Sequence, residues 1–453
     1  MLNIFKHEGG DLLRLPNLLL STIILFLSNI TVRILGFIYK IFLSNSIGET
    51  GLGIYHIIFN FLMICLAFTT TGIPTALSCL VAKNKAKNNK HNTNVLFVST
   101  LYIAFFISLF ISLFIYLNSN YISLKLLNNP KLNLFVLSIC PAIVVITLSN
   151  ILRGYYYGIK EVIVPAIGQI LEQISKIIFV YLIIMYINNK EINCYLALLG
   201  ISVGECVNIL FISICLYRNT NLLNKYTINI KDFYNASIEA IKMSIPITCN
   251  KMSSTLLHSI SSMIVPSRLA LSGISYTKSL SMYGIISGMV MPFVYLPFTV
   301  GSALVVNLIP SISQEMALCR YKNVYKKIYY SLLLTFTVGI CFSLFFYFFS
   351  DKLCLLVFNN ELAGTYLKAM FLVPLFMSLN QTLSGILHSI KKEVISSVIT
   401  ISTMFIQIIM LYFLLPIPAV NIYAYIYTIT FISMLTTLLH IIILMRSLKK
   451  FKY

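Results

Sequence analysis

Charged side chains standing inside apolar segments are the residues of this chain best placed to do chemistry. Asn29, Arg33, Gly36 and Lys40 fall at i, i+4, i+7 and i+11, which sets them on one face of a helix. Later in the chain, Lys251, Ser254, Thr255, His258, Ser261 and Ser262 form a longer face of the same kind. An Arg or Lys at mid-membrane depth costs about 2.5 to 3.5 kcal/mol on insertion scales unless it faces water or a partner. Two such faces are therefore expected to line one cationic cavity that attracts an anion. Arg33 and Lys251, with Lys40, His258 and Arg268, are the candidate substrate-binding residues. Plainer readings stand beside this one: Lys40 as a snorkelling cation, His258 as a hydrogen-bonded packing residue, and Arg33 as the partner of a carboxylate such as Glu205.

Acidic residues inside spans are fewer. Gln169, Glu172, Gln173 and Lys176 share a face, and Glu172 and Lys176 at i, i+4 make a favourable helix pair. That pair reads either as structural self-neutralisation or as part of an ion-coupling site. Glu205, with Ser202 and Asn208 nearby and no basic residue four positions away, is a proton-site or sodium-site candidate. Glu172, Lys176 and Glu205 are thus the ion-coupling candidates; the expected drive is H+, Na+ or the membrane potential, with no cofactor and no metal. Asn380, Ser384 and His388 read as helix–helix hydrogen-bonding residues. Gly72 and Pro74, and Pro292 and Pro297, interrupt apolar runs at related places, and because Pro removes a ladder hydrogen bond and bends a helix they are candidate hinges.

The elements that must carry these residues are membrane helices. Of 453 residues, 58% are hydrophobic and only 10% charged, with a mean hydropathy of +0.89, a balance that excludes a water-soluble domain. Apolar runs of roughly 20 residues, the length that crosses a hydrocarbon core, recur about twelve times, at approximately 18–43, 52–80, 93–117, 132–157, 162–187, 194–217, 240–266, 280–310, 325–349, 365–390, 394–415 and 421–446. The net charge of +20 does not point to nucleic acid, because the basic residues favour alternate loops. Lys83, Lys85, Arg153, Lys160, Arg218, Lys231, Arg320, Lys322, Lys391, Lys392 and Arg446 belong to the rich set, which the positive-inside rule makes cytoplasmic together with both termini. The ten Cys include no CxxC and read as buried small hydrophobes. The first apolar run reads as an uncleaved first helix. No GxxxxGK[ST] sequence is present and no loop is long enough for a soluble domain, so ATP hydrolysis within the chain is not expected.

The chain is internally duplicated. Leu148 to Lys160 lies on Leu379 to Lys391 without a gap, sharing the Gly154-to-Lys160 spacing with Gly385-to-Lys391, and the match continues through Ile177, Ile178 and Tyr181 against Ile408, Ile409 and Tyr412. Six spans per copy is an even number, so both copies enter the membrane from the same side. The expected fold is an all-α integral membrane protein, two parallel six-helix repeats forming two lobes around a central cavity. Its divisions are an N-terminal lobe at 1–217, a cytoplasmic linker at 218–239 and a C-terminal lobe at 240–453.

Arg33-Ile-Leu-Gly-Phe37, Gly51-Leu-Gly-Ile-Tyr55, Gly72-Ile-Pro-Thr-Ala76, Leu152-Arg-Gly154 with Gln169-Ile-Leu-Glu-Gln173, and Tyr283 through Pro292 with Leu308 through Ile312 resemble the stage V sporulation protein B family. That family lies in the superfamily of multidrug, oligosaccharidyl-lipid and polysaccharide exporters, which includes lipid II flippases. The resemblance implies a multi-pass cell-membrane flippase, not an enzyme, that moves a polyprenyl-diphosphate-linked sugar by alternating access. A peptidoglycan or spore-cortex precursor is the implied load. It also implies that Arg33 matches an Arg of the flippases' first helix, whereas their second first-helix Arg falls at Tyr39, beside Lys40. Implied partners are the lipid-linked glycan, the bilayer and cell-wall synthesis proteins. Rival readings are a multidrug or cation exporter, a membrane glycosyltransferase or polymerase, and a non-transporting scaffold for cell-wall synthesis.

Overall fold

The computed structural model describes residues 14–70, 72–86, 90–126, 129–187, 189–219 and 229–449, and among them there are helices and no strands. Helix α1 (Arg14–Thr69) carries the first two expected spans, joined at Gly48, whose φ of 70° lies in the left-handed region that a residue without Cβ adopts readily. Residues on both sides of that glycine meet α8 (Lys190–Asn219): the Tyr39 hydroxyl donates to Ala197 O at 3.3 Å and Cys194 Sγ to Gly51 O at 3.4 Å. The chain therefore doubles back at Gly48. The second span breaks again between Thr69 and Ile73, at the expected Gly72–Pro74 hinge, and continues as α2 (Ile73–Ala86).

Each remaining span has its helix. In the N-terminal half, α3 (Lys90–Leu117) is followed by the short α4 (Ser119–Tyr121), then α5 (Asn133–Ser138) with α6 (Cys140–Gly158), α7 (Ile163–Tyr186) and α8. The C-terminal half has α9 (Ile230–Ala270), then α10 (Tyr276–Gly284), a π-helical turn at Ile285–Val290 and α11 (Met291–Ala317), with Pro292 in the first turn of α11. It closes with α12 (Tyr321–Phe358), α13 (Glu361–Ala369) bent by 52° against α14 (Val373–Ser389), α15 (Glu393–Leu414) and α16 (Tyr423–Lys449). Pro297, the other expected hinge of this half, sits inside continuous α11. By length and apolar composition nine described helices are able to span, ten with the bent pair. The twelve expected from sequence are recovered because the reversal at Gly48 splits one of these into two crossings, and α9 is long enough but too polar to be counted. The expected linker 218–239 lends its last ten residues to α9; residues 220–228 lie outside the described set.

The duplication is visible in backbone geometry. Lys160 and Lys391, one repeat apart, both take positive φ (64° and 59°) at the helix ends that follow Gly158 and Ser389. Large apolar side chains such as Phe110, Tyr186, Leu210, Phe348 and Phe413 are exposed along the outside of the bundle, the surface that hydrocarbon covers.

Buried apolar residues fall into three clusters, and their arrangement fixes the shape. One continuous core crosses both lobes and includes Leu43, Ile47, Leu52 and Ile58 with Leu280, Tyr283, Phe293, Phe358 and Tyr425. At the end of the molecule bearing the basic loops, the lobes instead have separate cores. Leu77, Leu96 and Tyr156 belong to one; Ile312, Ile328 and Leu387 belong to the other. The lobes thus meet at one end and part at the other. Helix α9 bridges them, since Ala236 and Ala240 near its start join the N-lobe core and Val265 and Leu269 near its end join the shared one.

Candidate functional site

Where the lobes part, α1 and α11 border a cavity of about 340 Å³. Arg33, Gly36, Phe37 and Lys40 line one side, and Pro292, Tyr295, Leu296, Phe298 and Thr299 the other. Arg33, Gly36 and Lys40 belong to the helical face expected from the sequence, brought together because α1 is unbroken there; Phe37 joins them, and Asn29 of that face does not line the cavity. Phe37 also meets Phe293 edge-on, at 5.3 Å between ring centroids, which closes the cavity toward the shared core. No ion pair among the described residues involves Arg33 or Lys40. The cavity therefore offers one apolar and aromatic wall and one wall with two free cations, a combination that suits an amphipathic anion.

The other substrate candidates are placed differently. Arg268 lies near the far end of α9 with its guanidinium carbon 3.3 Å from the centroid of Tyr412 on α15, so it is held by stacking within the C-lobe and does not line the cavity. His258 is exposed on α9, and its carbonyl accepts from Ser262 at 3.0 Å. The side chain of Lys251 lies outside the described residues.

The ion-coupling candidates do come together, around a residue that the sequence reading assigned to a cytoplasmic loop. Arg153, still inside α6, donates from Nη2 to Glu172 Oε2 at 2.6 Å and to Glu205 Oε2 at 2.9 Å. Glu205, which has no basic residue four positions away and for which Arg33 was the alternative partner, is 5% exposed and also accepts from Asn208 Nδ2 at 3.2 Å; Asn208 Nδ2 reaches Ser149 Oγ as well, at 2.9 Å. The expected Glu172–Lys176 pair is indirect: Lys176 Nζ donates to Gln173 Oε1 at 2.6 Å, and Gln173 Nε2 donates to Glu172 Oε1 at 3.1 Å. Lys176 Nζ also sits over the Tyr39 ring, 4.7 Å from its centroid. Close packing of α7 on α8 depends on small residues here, for a Cβ on Gly204 would stand 2.7 Å from Glu172 O, and one on Gly168 2.3 Å from Asn208 Oδ1. The signal that could have found Arg153 was charge balance, because two intramembrane carboxylates need a cation and Arg153 lies five residues before its helix ends.

The C-lobe repeats this arrangement without charge. At the repeat offset Ser149, Arg153, Glu172 and Glu205 correspond to Asn380, Ser384, Thr403 and Thr436. Thr436 and Thr403 are hydrogen-bonded at 3.0 Å, Ser384 and Ser396 at 3.1 Å, and buried His440 links Asn380 (2.6 Å) to Ser396 (3.2 Å). The helix–helix role expected of Asn380 and Ser384 is the one they fill.

At the joined end Glu49 is gripped by the other lobe. Ser281 Oγ donates to its Oε2 at 2.5 Å, and Asn360 Nδ2 donates to its Oε1. The backbones beside it touch: a Cβ on Gly284 would lie 2.1 Å from Glu49 O, and one on Gly53 2.3 Å from Leu280 O. Gly72 makes a similar approach to α9, where a Cβ would lie 2.4 Å from Ser244 O. The cavity is consequently sealed on the Glu49 side and open on the side of the basic loops.

Comparison with known proteins agrees with this architecture. The profile of the family described as polysaccharide biosynthesis protein matches residues 18–316, and that of the MatE family matches residues 252–413. Stage V sporulation protein B of Bacillus subtilis (strain 168) is 24% identical over 361 residues, covering 79% of this chain and 69% of that protein. Lipid II flippase MurJ of the same organism is 26% identical over 170 residues, 36% of this chain and 31% of its own. Among solved structures, an inward-facing multidrug resistance MATE family transporter of the MOP superfamily superposes with a TM-score of 0.73 at 13% identity, over 93% of this chain and 95% of that one.

Proposed function

We propose, from the premise that the chain belongs to the polysaccharide biosynthesis protein family and is a multi-pass membrane transporter of the MOP superfamily, that its load is a polyprenyl-diphosphate-linked sugar, flipped across the cell membrane by alternating access. The observation that carries this reading is the cavity between the lobes, where Arg33 and Lys40, in no ion pair among the described residues, stand opposite Tyr295, Leu296 and Phe298. A diphosphate would take charge-assisted hydrogen bonds from the two cations, and the apolar wall would accept the prenyl or sugar faces. Similarity to stage V sporulation protein B and to lipid II flippase MurJ supports a peptidoglycan or spore-cortex precursor as the glycan. Lys251 and His258 on α9 are proposed to complete the cationic lining in other states of the cycle. The Glu172–Arg153–Glu205 cluster is proposed as the ion-coupling site, loading a proton in preference to Na+ because Arg153 already occupies the place between the carboxylates that a metal cation would need. Both termini are proposed to lie in the cytoplasm, a reading supported by the alternation of basic loops.

The MatE match and the MATE superposition favour a second reading, export of a drug-like cation. Two unpaired cations in the cavity oppose it by direct repulsion. The test is reconstitution into liposomes with fluorescent lipid II. The protein should accelerate transbilayer movement; Arg33→Ala should abolish that acceleration, and Arg33→Lys should restore part of it because an ammonium keeps the charge but loses the bidentate fork. No acceleration with lipid II or any other polyprenyl-diphosphate glycan, alongside efflux of an organic cation, replaces the flippase with the drug exporter.

A further inference from the structure

Between the cavity and the buried carboxylates runs a short chain of contacts that neither site requires on its own. Lys40 lines the cavity, and its neighbour Tyr39 turns into the bundle beneath the ammonium of Lys176. Lys40 and Lys176 stand near enough to repel one another. Lys176 in turn reaches Glu172 only through Gln173, whose amide accepts from the ammonium with one end and donates to the carboxylate with the other. We propose that Lys176 links occupancy of the Arg33–Lys40 cavity to proton uptake by the Glu172–Glu205 pair, so that a diphosphate in the cavity and a proton on the carboxylates bind together. This rests on the anion-carrying reading of the cavity.

Charge balance gives the direction. Glu172, Glu205, Arg153 and Lys176, all ionised, sum to zero, which makes the cluster tolerable in a low-dielectric interior. The groups that act on the two carboxylates are Arg153 from α6, Lys176 from α7 and Cys206 from α8; Tyr157 stands beside Arg153, and Tyr39 and Lys40 from α1 stand beside Lys176. Among these Lys176 is the cation free to move, because Arg153 is pinned between both carboxylates while Lys176 hangs on one neutral amide and one ring face. Its four-carbon stem has room beside Gly200 and Gly204, where Cβ atoms would come within 3.6 Å of Lys176 Cγ and 3.2 Å of Lys176 Cβ. A diphosphate at Lys40 would draw the ammonium toward the cavity. That movement also releases Gln173 and its bond to Glu172. Two carboxylates would then face a single guanidinium, and the favourable response is for one to take a proton from solvent. Linkage is reciprocal, so protonating the pair strengthens anion binding by the same factor.

The test uses the full-length protein in detergent and farnesyl diphosphate as a soluble short-chain probe. Binding measured by calorimetry in two buffers of different ionisation enthalpy reports protons taken up per probe bound. Wild type should show net uptake. Lys176→Met should keep binding through Arg33 and Lys40, weakened no more than about tenfold, with the uptake gone; Lys176→Arg should retain it in part. Glu172→Gln with Glu205→Gln should also lose it, which separates a proton on the carboxylates from one on the phosphate. Binding without uptake in wild type, or equal uptake in Lys176→Met, overturns the linkage while leaving the anion site standing. No binding of the probe removes the anion-carrying reading and the linkage with it.

Discussion

Arg153 shows how much one side chain can decide inside a bilayer. It is 12% exposed and, among the described residues, is the one cation directly bonded to two carboxylates that are themselves largely buried. Removing one partner of a buried ion pair typically costs about 3 to 5 kcal/mol, since the charge left behind has no solvent to turn to. Arg153→Ala should therefore lower the amount of folded protein and its melting temperature in detergent. The triple variant with Glu172→Gln and Glu205→Gln should recover most of the loss, because its amides hydrogen-bond without needing a counter-ion. A melting temperature for Arg153→Ala equal to wild type would show that the cluster carries no such strain. Sequence spacing found both acids and missed their partner for a physical reason: the partner arrives through the packing of α6 on α7 and α8, and helical periodicity reports only neighbours on the same helix. Arg33 and Lys40 were legible because they share one helix face. Arg268 was misplaced for the opposite reason, as nothing local in the sequence announces Tyr412, which stands on α15.

At the scale of elements, the seam formed by the Gly48 reversal of α1 with α10 and the start of α13 is built to close and to release. Among the described residues the donors that tie Glu49 to the other lobe, Ser281 and Asn360, are neutral, and Gly53 and Gly284 bring two backbones into contact with no side chain between them. Neutral hydrogen bonds to a carboxylate are strong enough to hold a seam and weak enough to exchange with water during a cycle. Gly284→Ala would place a methyl 2.1 Å from Glu49 O and 2.6 Å from Gly53 N, so the seam could not shut without displacing α1. A cysteine at Leu280, 4% exposed in the closed seam, should be unreactive to an impermeant thiol reagent in an otherwise Cys-free protein. It should become reactive when Gly284→Ala or Glu49→Ala is added. Equal protection in all three proteins would mean that these contacts do not hold the lobes together. The sequence marked Gly72, Pro74, Pro292 and Pro297 as bending points; the first three lie at a helix break or beside the π-helical turn, whereas Pro297 sits inside continuous α11. Gly53 and Gly284 entered the sequence reading only inside the motifs of the family resemblance, with no contact assigned, because a close approach between helices distant in sequence leaves no local pattern.

For the whole molecule, twelve apolar runs, alternating basic loops and a duplicated segment were enough to anticipate a two-lobed membrane transporter, since each is imposed by the bilayer and not by detailed packing. The direction in which the lobes part was not legible, because it depends on which apolar residues bury against each other across the halves. The separate cores of Ile328 with Leu387 and of Leu77 with Tyr156 stand at the end carrying Lys160, Lys322 and Lys391. If those loops are cytoplasmic, the open cavity faces the compartment from which an exported substrate must enter, and the Glu49 seam faces outward. Orientation and conformation then rest on one measurement. Single cysteines placed at Asn229 and Lys322 in a Cys-free background should resist an impermeant thiol reagent added outside intact cells, while one at Asn359, exposed just beyond the end of α12, should react. The reverse pattern would turn the molecule over, leaving the cavity open to the outside and making uptake, rather than export, the direction its resting state serves.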